Sequence, residues 1–202
     1  MLQNCCIIAA LLQNANFLLP LSALSTLVTS AMITDSASGW FYLRGQTKSK
    51  NVVIYYRPGV QKFKLDPSTY ARTIMYTLDL AARTADVSSN GKYVVVLDCS
   101  EFSFSQIPAV AEIKKVFAIM SEHFPNRTQR LLIVNLGIAA NAFYTLSKPL
   151  IPDGTRQKIE VSRTANALFE VMDKAQIPTW LGGEDDYVFN AEKYFNGAGA
   201  KQ

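Results

Sequence analysis

Charge is what this chain has least of. Only 18% of its 202 residues are Asp, Glu, Lys or Arg, below the roughly 25% usual for soluble proteins. None of them falls between Met1 and Thr34; the first is Asp35. Histidine is scarcer still. His123 is the single one, so a Ser-His-Asp or Cys-His mechanism would have to run through it. It stands before Phe124-Pro125, at the end of a helical pattern, where capping or packing is the commoner role. The three cysteines are Cys5, Cys6 and Cys99. Neighbouring Cys5 and Cys6 do not readily bridge each other, and the set offers neither a metal spacing nor a disulfide framework, which suits a reducing compartment. There is no G-x-S-x-G elbow and no glycine-rich phosphate turn. No Lys/Arg run is interleaved with aromatics, which argues against nucleic acid as a partner. Cys99 and Ser100 follow Asp98 at a strand end, but with no elbow around it Cys99 reads as a small apolar filler. These absences leave little room for an enzyme.

What is present is apolar. Hydrophobic residues make up 49% of the chain and the formal charge is +4, a composition that suits one domain with a sizeable core. Residues 1–38 form an uncharged, apolar segment broken by Gln13, Asn14, Asn16 and Pro20. These breaks count against the roughly 20 apolar residues of a spanning helix, and no positive n-region precedes the segment. Anchor, signal, packing segment and sequence outside the mature domain all stay open for it. The main domain is expected over 39–190, with a tail over 191–202.

Within the main domain strand and helix patterns alternate. Val52–Tyr56 with its flanks is β-branched and aromatic, and stops at Pro58-Gly59. Asp66-Pro67 is a helix start, followed by Tyr70, Ile74, Leu78 and Ala82 on one face. Tyr93–Leu97 is a continuous apolar run, as expected of a central parallel strand covered on both faces. Ile107, Val110, Phe117 and Met120 predict a helix reaching His123. Leu131–Val134 reads as a second buried strand, and a helix is expected over Ala139–Lys148. A short strand is expected over Lys158–Val161 and a helix over Arg163–Lys174. This alternation predicts an α/β fold with a mostly parallel β-sheet flanked by helices.

Five ordered motifs carry a resemblance. They are Val94-Val95-Val96-Leu97-Asp98; His123-Phe124-Pro125-Asn126-Arg127 followed by Leu132-Ile133-Val134-Asn135; Ala142-Phe143 through Lys148-Pro149-Leu150; Pro152-Asp153-Gly154-Thr155-Arg156-Gln157-Lys158-Ile159; and Ile177-Pro178 with Leu181-Gly182-Gly183. In this order they resemble the CRAL-TRIO lipid-binding domain, the family of yeast-type phosphatidylinositol transfer proteins and tocopherol or retinal carriers. The resemblance implies a gate helix over an apolar pocket. The gate and lining residues it implies are Phe143, Leu146, Leu150, Phe102, Phe104, Val95 and Leu97. It implies headgroup contacts from Thr155 and Lys158, with Arg127 and Asn126 in the same region.

The implied function is binding and transfer or presentation of a membrane phospholipid, phosphatidylinositol first. The alternatives are a docking module in signalling, or a carrier of a tocopherol-like molecule. The implied partners are the phospholipid, a membrane surface, and a small GTPase or trafficking protein; a cytoplasmic monomer at the membrane periphery needs no cofactor beyond the bound lipid. Three departures stand out. Asn126 replaces the family's Glu. Tyr93 and Val95 occupy positions that are polar in the choline-lipid binders. The family's basic N-terminal module is not recognisable in Met1–Ser38.

Overall fold

The computed structural model describes residues 27–61, 66–88, 90–107, 123–151 and 153–196. Five strands form one sheet in the order β1-β2-β3-β4-β5. They are β1 Phe41–Gln46, β2 Val52–Tyr56, β3 Tyr93–Asp98, β4 Thr128–Val134 and β5 Ile159–Val161. β1 is antiparallel to β2, and every later neighbour is parallel. The expected mostly parallel α/β sheet is therefore present. β3 lies at its centre, which accounts for the unbroken apolar run Tyr93–Val96, all of it buried.

Register fixes the two faces. Leu97 pairs with Ile133 and Val95 with Leu131, while Leu131 and Ile133 pair in turn with Ile159 and Val161. Side chains alternate along a strand, so these six share one face. Val94, Arg130, Leu132 and Glu160 take the other.

The longest helix, α2 Pro67–Ser88, begins where Asp66-Pro67 predicts. The Asp66 carboxylate accepts hydrogen bonds from the backbone N–H groups of Ser68 at 3.0 Å and Thr69 at 3.2 Å, satisfying donors that a helix start leaves orphaned. Its Ile74, Leu78, Ala81, Ala82 and Ala85 are buried. So are Thr73 and Thr77, whose hydroxyls meet the Thr69 carbonyl and the Tyr194 hydroxyl.

The packed body runs beyond 39–190 at both ends. Met32, in α1 Ser30–Asp35, is fully buried, as is Leu27 before it. Tyr194, in α6 Ala191–Phe195, is buried with its hydroxyl 3.0 Å from the Leu43 N–H.

One expected helix is broken. Across Arg163–Lys174 the chain makes a 3-10 turn at Ala165–Ala167, one helical turn α5 at Leu168–Val171, and a second 3-10 turn at Lys174–Gln176. Extended backbone at Met172 separates the last two. The cause is tertiary. The Lys48 ammonium takes the carbonyl oxygens of Phe169 and Glu170 at 2.8 and 3.3 Å, and the Lys48 N–H takes that of Val171 at 2.9 Å. Carbonyls that would continue a helix are spent on the β1–β2 hairpin. The helix expected over Ile107–His123 lies almost wholly outside the described residues.

Candidate functional site

Helix α3 Ile138–Ser147 carries the sequence IAANAFYTLS, without one charged residue. Its buried stripe is Ala139, Ala140 and Ser147, with Phe143 and Tyr144 half-buried beside it. Beneath it lies an apolar cluster separate from the main core. Cys99, Ile133 and Ala140 form its buried centre, and Leu97, Phe102, Leu131, Leu136, Tyr144 and Ile159 pack around them. The rings of Phe102 and Phe143 are 5.7 Å apart. A 3-10 turn, Lys148–Leu150, follows α3, with Leu150 half-buried in it.

The outer face of α3 is uncharged but mixed, with Asn141 and Thr145 exposed beside Ala142. Ile138 is 86% exposed and Leu146 54%. Among the described residues six large hydrophobics are exposed. Besides these two they include Phe104 and Val161, each two residues from a member of the cluster, Phe102 and Ile159.

The structure thus gathers Leu97 and Phe102 in one cluster, with the Phe143 ring against that of Phe102. Val95 shares their sheet face but is counted with the main core. Phe104 and Leu146 face outward. Sequence reading missed Leu131, Ile133, Tyr144 and Ile159. The period-2 alternation of β4 carried the signal for the first two, once its register with β3 was known.

Thr155 and Lys158 are brought together. One helical turn, α4 Asp153–Arg156, leads into β5, and the Lys158 N–H donates to the Thr155 carbonyl at 3.0 Å. The Lys158 carbonyl then accepts from Leu131 N–H at 2.8 Å, locking the turn to β4. Asn126 is exposed in a left-handed turn, at φ 57°. Arg127 turns the other way. Its guanidinium binds the Asp86 carboxylate and the Gly91 carbonyl, the latter at 3.0 Å, so it braces the β3 side of β4 rather than the β5 side where Lys158 lies. The register neighbour of Lys158 on β4 is Arg130, whose guanidinium meets Glu160 at 3.1 Å.

At the C-terminal ends of β3 and β4, Asp98 is fully engaged. It accepts from Ser100 N–H at 3.1 Å, the Ser100 hydroxyl at 2.5 Å and Asn135 Nδ2 at 2.8 Å. Arg57 lies 3.8 Å away with its guanidinium over the Trp180 ring. Burial first, and the neighbouring Asp98 second, push the Cys99 thiol up to about 12. It stays protonated and unreactive at neutral pH. Among the described residues no cluster of His, Cys, Asp and Glu could hold a metal ion, and no helix is long and apolar enough to cross a membrane.

Comparison with known proteins agrees with this architecture. A CRAL-TRIO domain-containing protein of Schizosaccharomyces pombe is 26% identical over 163 residues, covering 80% of this chain and 16% of that protein. Clavesin-1 of Rattus norvegicus is 28% identical over 115 residues, 55% of this chain and 32% of its own length. The chain therefore spans well under half of either relative. The crystal structure of Sfh5 superposes with a TM-score of 0.66 at 16% identity, covering 90% of this chain and 72% of that one, a likeness of fold. The family model of the CRAL/TRIO domain matches residues 36–183. With that match over most of its length, and an uncharged helix set over an apolar cluster on a parallel sheet, the chain belongs to the CRAL/TRIO domain family, whose general role is lipid binding.

Proposed function

We propose that the chain binds one membrane phospholipid, phosphatidylinositol first, between α3 and the sheet face of Leu97, Leu131, Ile133 and Ile159, and carries or presents it at a membrane. The observation that carries this reading is α3 itself: ten residues with no charge, lying on the apolar cluster and leaving the large side chains of Ile138 and Leu146 exposed to solvent. A helix that merely closed a core would ordinarily carry charged residues on its outer face and few large apolar ones.

The energetics favour exchange rather than capture. Each methylene taken from water contributes about 0.8 kcal/mol, but a bilayer already supplies that, so the site has only to match the membrane. The exposed Ile138 and Leu146 let α3 rest on the bilayer while it opens. Selection then falls to the polar groups that meet the headgroup. Thr155 and Lys158, joined in one turn ahead of β5, offer a hydroxyl and an ammonium to a phosphate. Arg127 is a weaker candidate, since Asp86 already holds its charge. The lipid, its membrane and any trafficking partner all belong to this proposal, as does a non-catalytic role.

The test is transfer of labelled phosphatidylinositol between vesicles. The Thr155→Ala, Lys158→Ala double variant is expected to transfer several-fold more slowly with an unchanged melting temperature. Transfer at the wild-type rate would remove both residues from the headgroup site.

A further inference from the structure

On the sheet face opposite α3, a polar cavity of about 210 Å³ opens at the N-terminal ends of β2, β3 and β4. It lies on the far side of the sheet from the lipid site proposed above and is independent of that reading. Val94 and Val171 give it a small apolar wall; its other lining groups include Lys48, Ser49, Asn51, Gln129, Arg130 and Glu170.

Two amides there act as acceptors. Asn51 is only 3% exposed, and its Nδ2 is tied to the Asn90 Oδ1 and the Lys92 carbonyl, both at 3.2 Å. Its orientation is thereby set, with Oδ1 left to accept. Gln129 falls where the register between β3 and β4 slips, so that Tyr93 pairs with Thr128 and Val94 with Arg130. Such bulges re-aim side chains. The Gln129 Oε1 is buried and has no hydrogen-bond partner among the described residues. An orphaned buried carbonyl is costly. The terminal torsion of glutamine is broad and two-fold, so turning this amide toward a donor in the cavity is cheap.

The charges around the cavity cancel. Arg130 is paired with Glu160 at 3.1 Å, and the Lys48 ammonium already holds the carbonyls of Phe169 and Glu170. An anion would meet the Glu170 carboxylate and two amide carbonyls, all acceptors. A cation would meet Lys48 and Arg130. A neutral hydroxyl suits both sets, because it donates to Asn51, Gln129 and Glu170 and accepts from Arg130 and Ser49. A cavity of this volume has room for several ordered waters, and so for a small polyol.

We infer that this cavity is a binding site for a small neutral polyol of hexose or cyclitol size. The test is a titration of the full ¹⁵N-labelled chain, followed by its amide resonances, with myo-inositol and glucose, and separately with glycine and inorganic phosphate. At least one polyol is expected to shift the amides of Lys48, Ser49, Asn51, Gln129 and Arg130 saturably, ahead of glycine and phosphate. Gln129→Leu should abolish that response while the melting temperature stays level or rises, because the orphaned carbonyl goes. Absence of a saturable shift with either polyol overturns the site. So does an equal or stronger response to phosphate or glycine, or a Gln129→Leu protein that melts lower and still responds.

Discussion

The main core and the cluster beneath α3 lie on one sheet, yet they are built on different terms. The main core is aromatic and closed. Trp40 is fully buried and stacks on Tyr70 at 5.0 Å, with Tyr56 edge-on at 6.0 Å. The Tyr76 hydroxyl reaches the carbonyls of Tyr194 and Phe195, and that of Tyr194 reaches the Leu43 N–H. The Tyr76 and Tyr194 hydroxyls are thus satisfied where their rings are buried, whereas the buried Trp40 Nε1 has no hydrogen-bond partner among the described residues. The α3 cluster has three buried residues and a half-buried fringe of aliphatic and aromatic side chains. The closed region holds the fold; the other is where the proposed lipid would sit.

Substitutions should separate the two regions, and the largest effect belongs to the closed one. Trp40→Ala is expected to cost about 3–5 kcal/mol, read as a large fall in melting temperature or loss of soluble protein. Asp98→Ala comes next. It strips partners from Ser100 and Asn135 and leaves Arg57 uncompensated, and should cost about 2–3 kcal/mol in denaturant unfolding.

In the region around α3, Phe143→Ala should cost about 1 kcal/mol or less of stability, since the ring is only half-buried. Retained lipid should nevertheless fall about tenfold, the equivalent of roughly 1.4 kcal/mol of lost contact. An equal loss of stability at Trp40 and Phe143 would erase the contrast.

The smallest effect concerns a part-buried clamp. Arg44 holds Asp185 through two bonds at 2.9 and 3.0 Å, and this keeps the Asp185 carboxyl below its usual range. A lowered folded pKa means that the contribution is complete above about pH 4, the unfolded carboxylate value, and is lost as pH falls through the folded one. Asp185→Asn should therefore cost about 1 kcal/mol near neutrality, and its difference from the wild type should vanish on acidification. A gap that persists in acid would assign the effect to packing instead.

How much of this was readable beforehand follows from how local each signal is. β3 announced itself because a strand covered on both faces needs no polar alternation. The start of α2 was legible because Asp66 caps its own next turn. The break in Arg163–Lys174 was not, since the lysine that takes its carbonyls is more than a hundred residues upstream. Arg127 is a similar case: its partner Asp86 sits 41 positions away, and nothing adjacent to Arg127 reveals that its charge is spent. At the candidate site the α3 residues could be picked out by motif, whereas Leu131, Ile133 and Ile159 needed the strand register. That Phe104 and Leu146 face outward is a matter of exposure, which motif order does not encode.

The central claim is that the space beneath α3 shelters a hydrocarbon chain. Native mass spectrometry of the full chain, after incubation with phosphatidylinositol-containing vesicles and re-isolation, tests it most directly. The account predicts a peak heavier than the bare polypeptide by one phospholipid, much reduced in Phe143→Ala. A spectrum with the bare mass alone would contradict it.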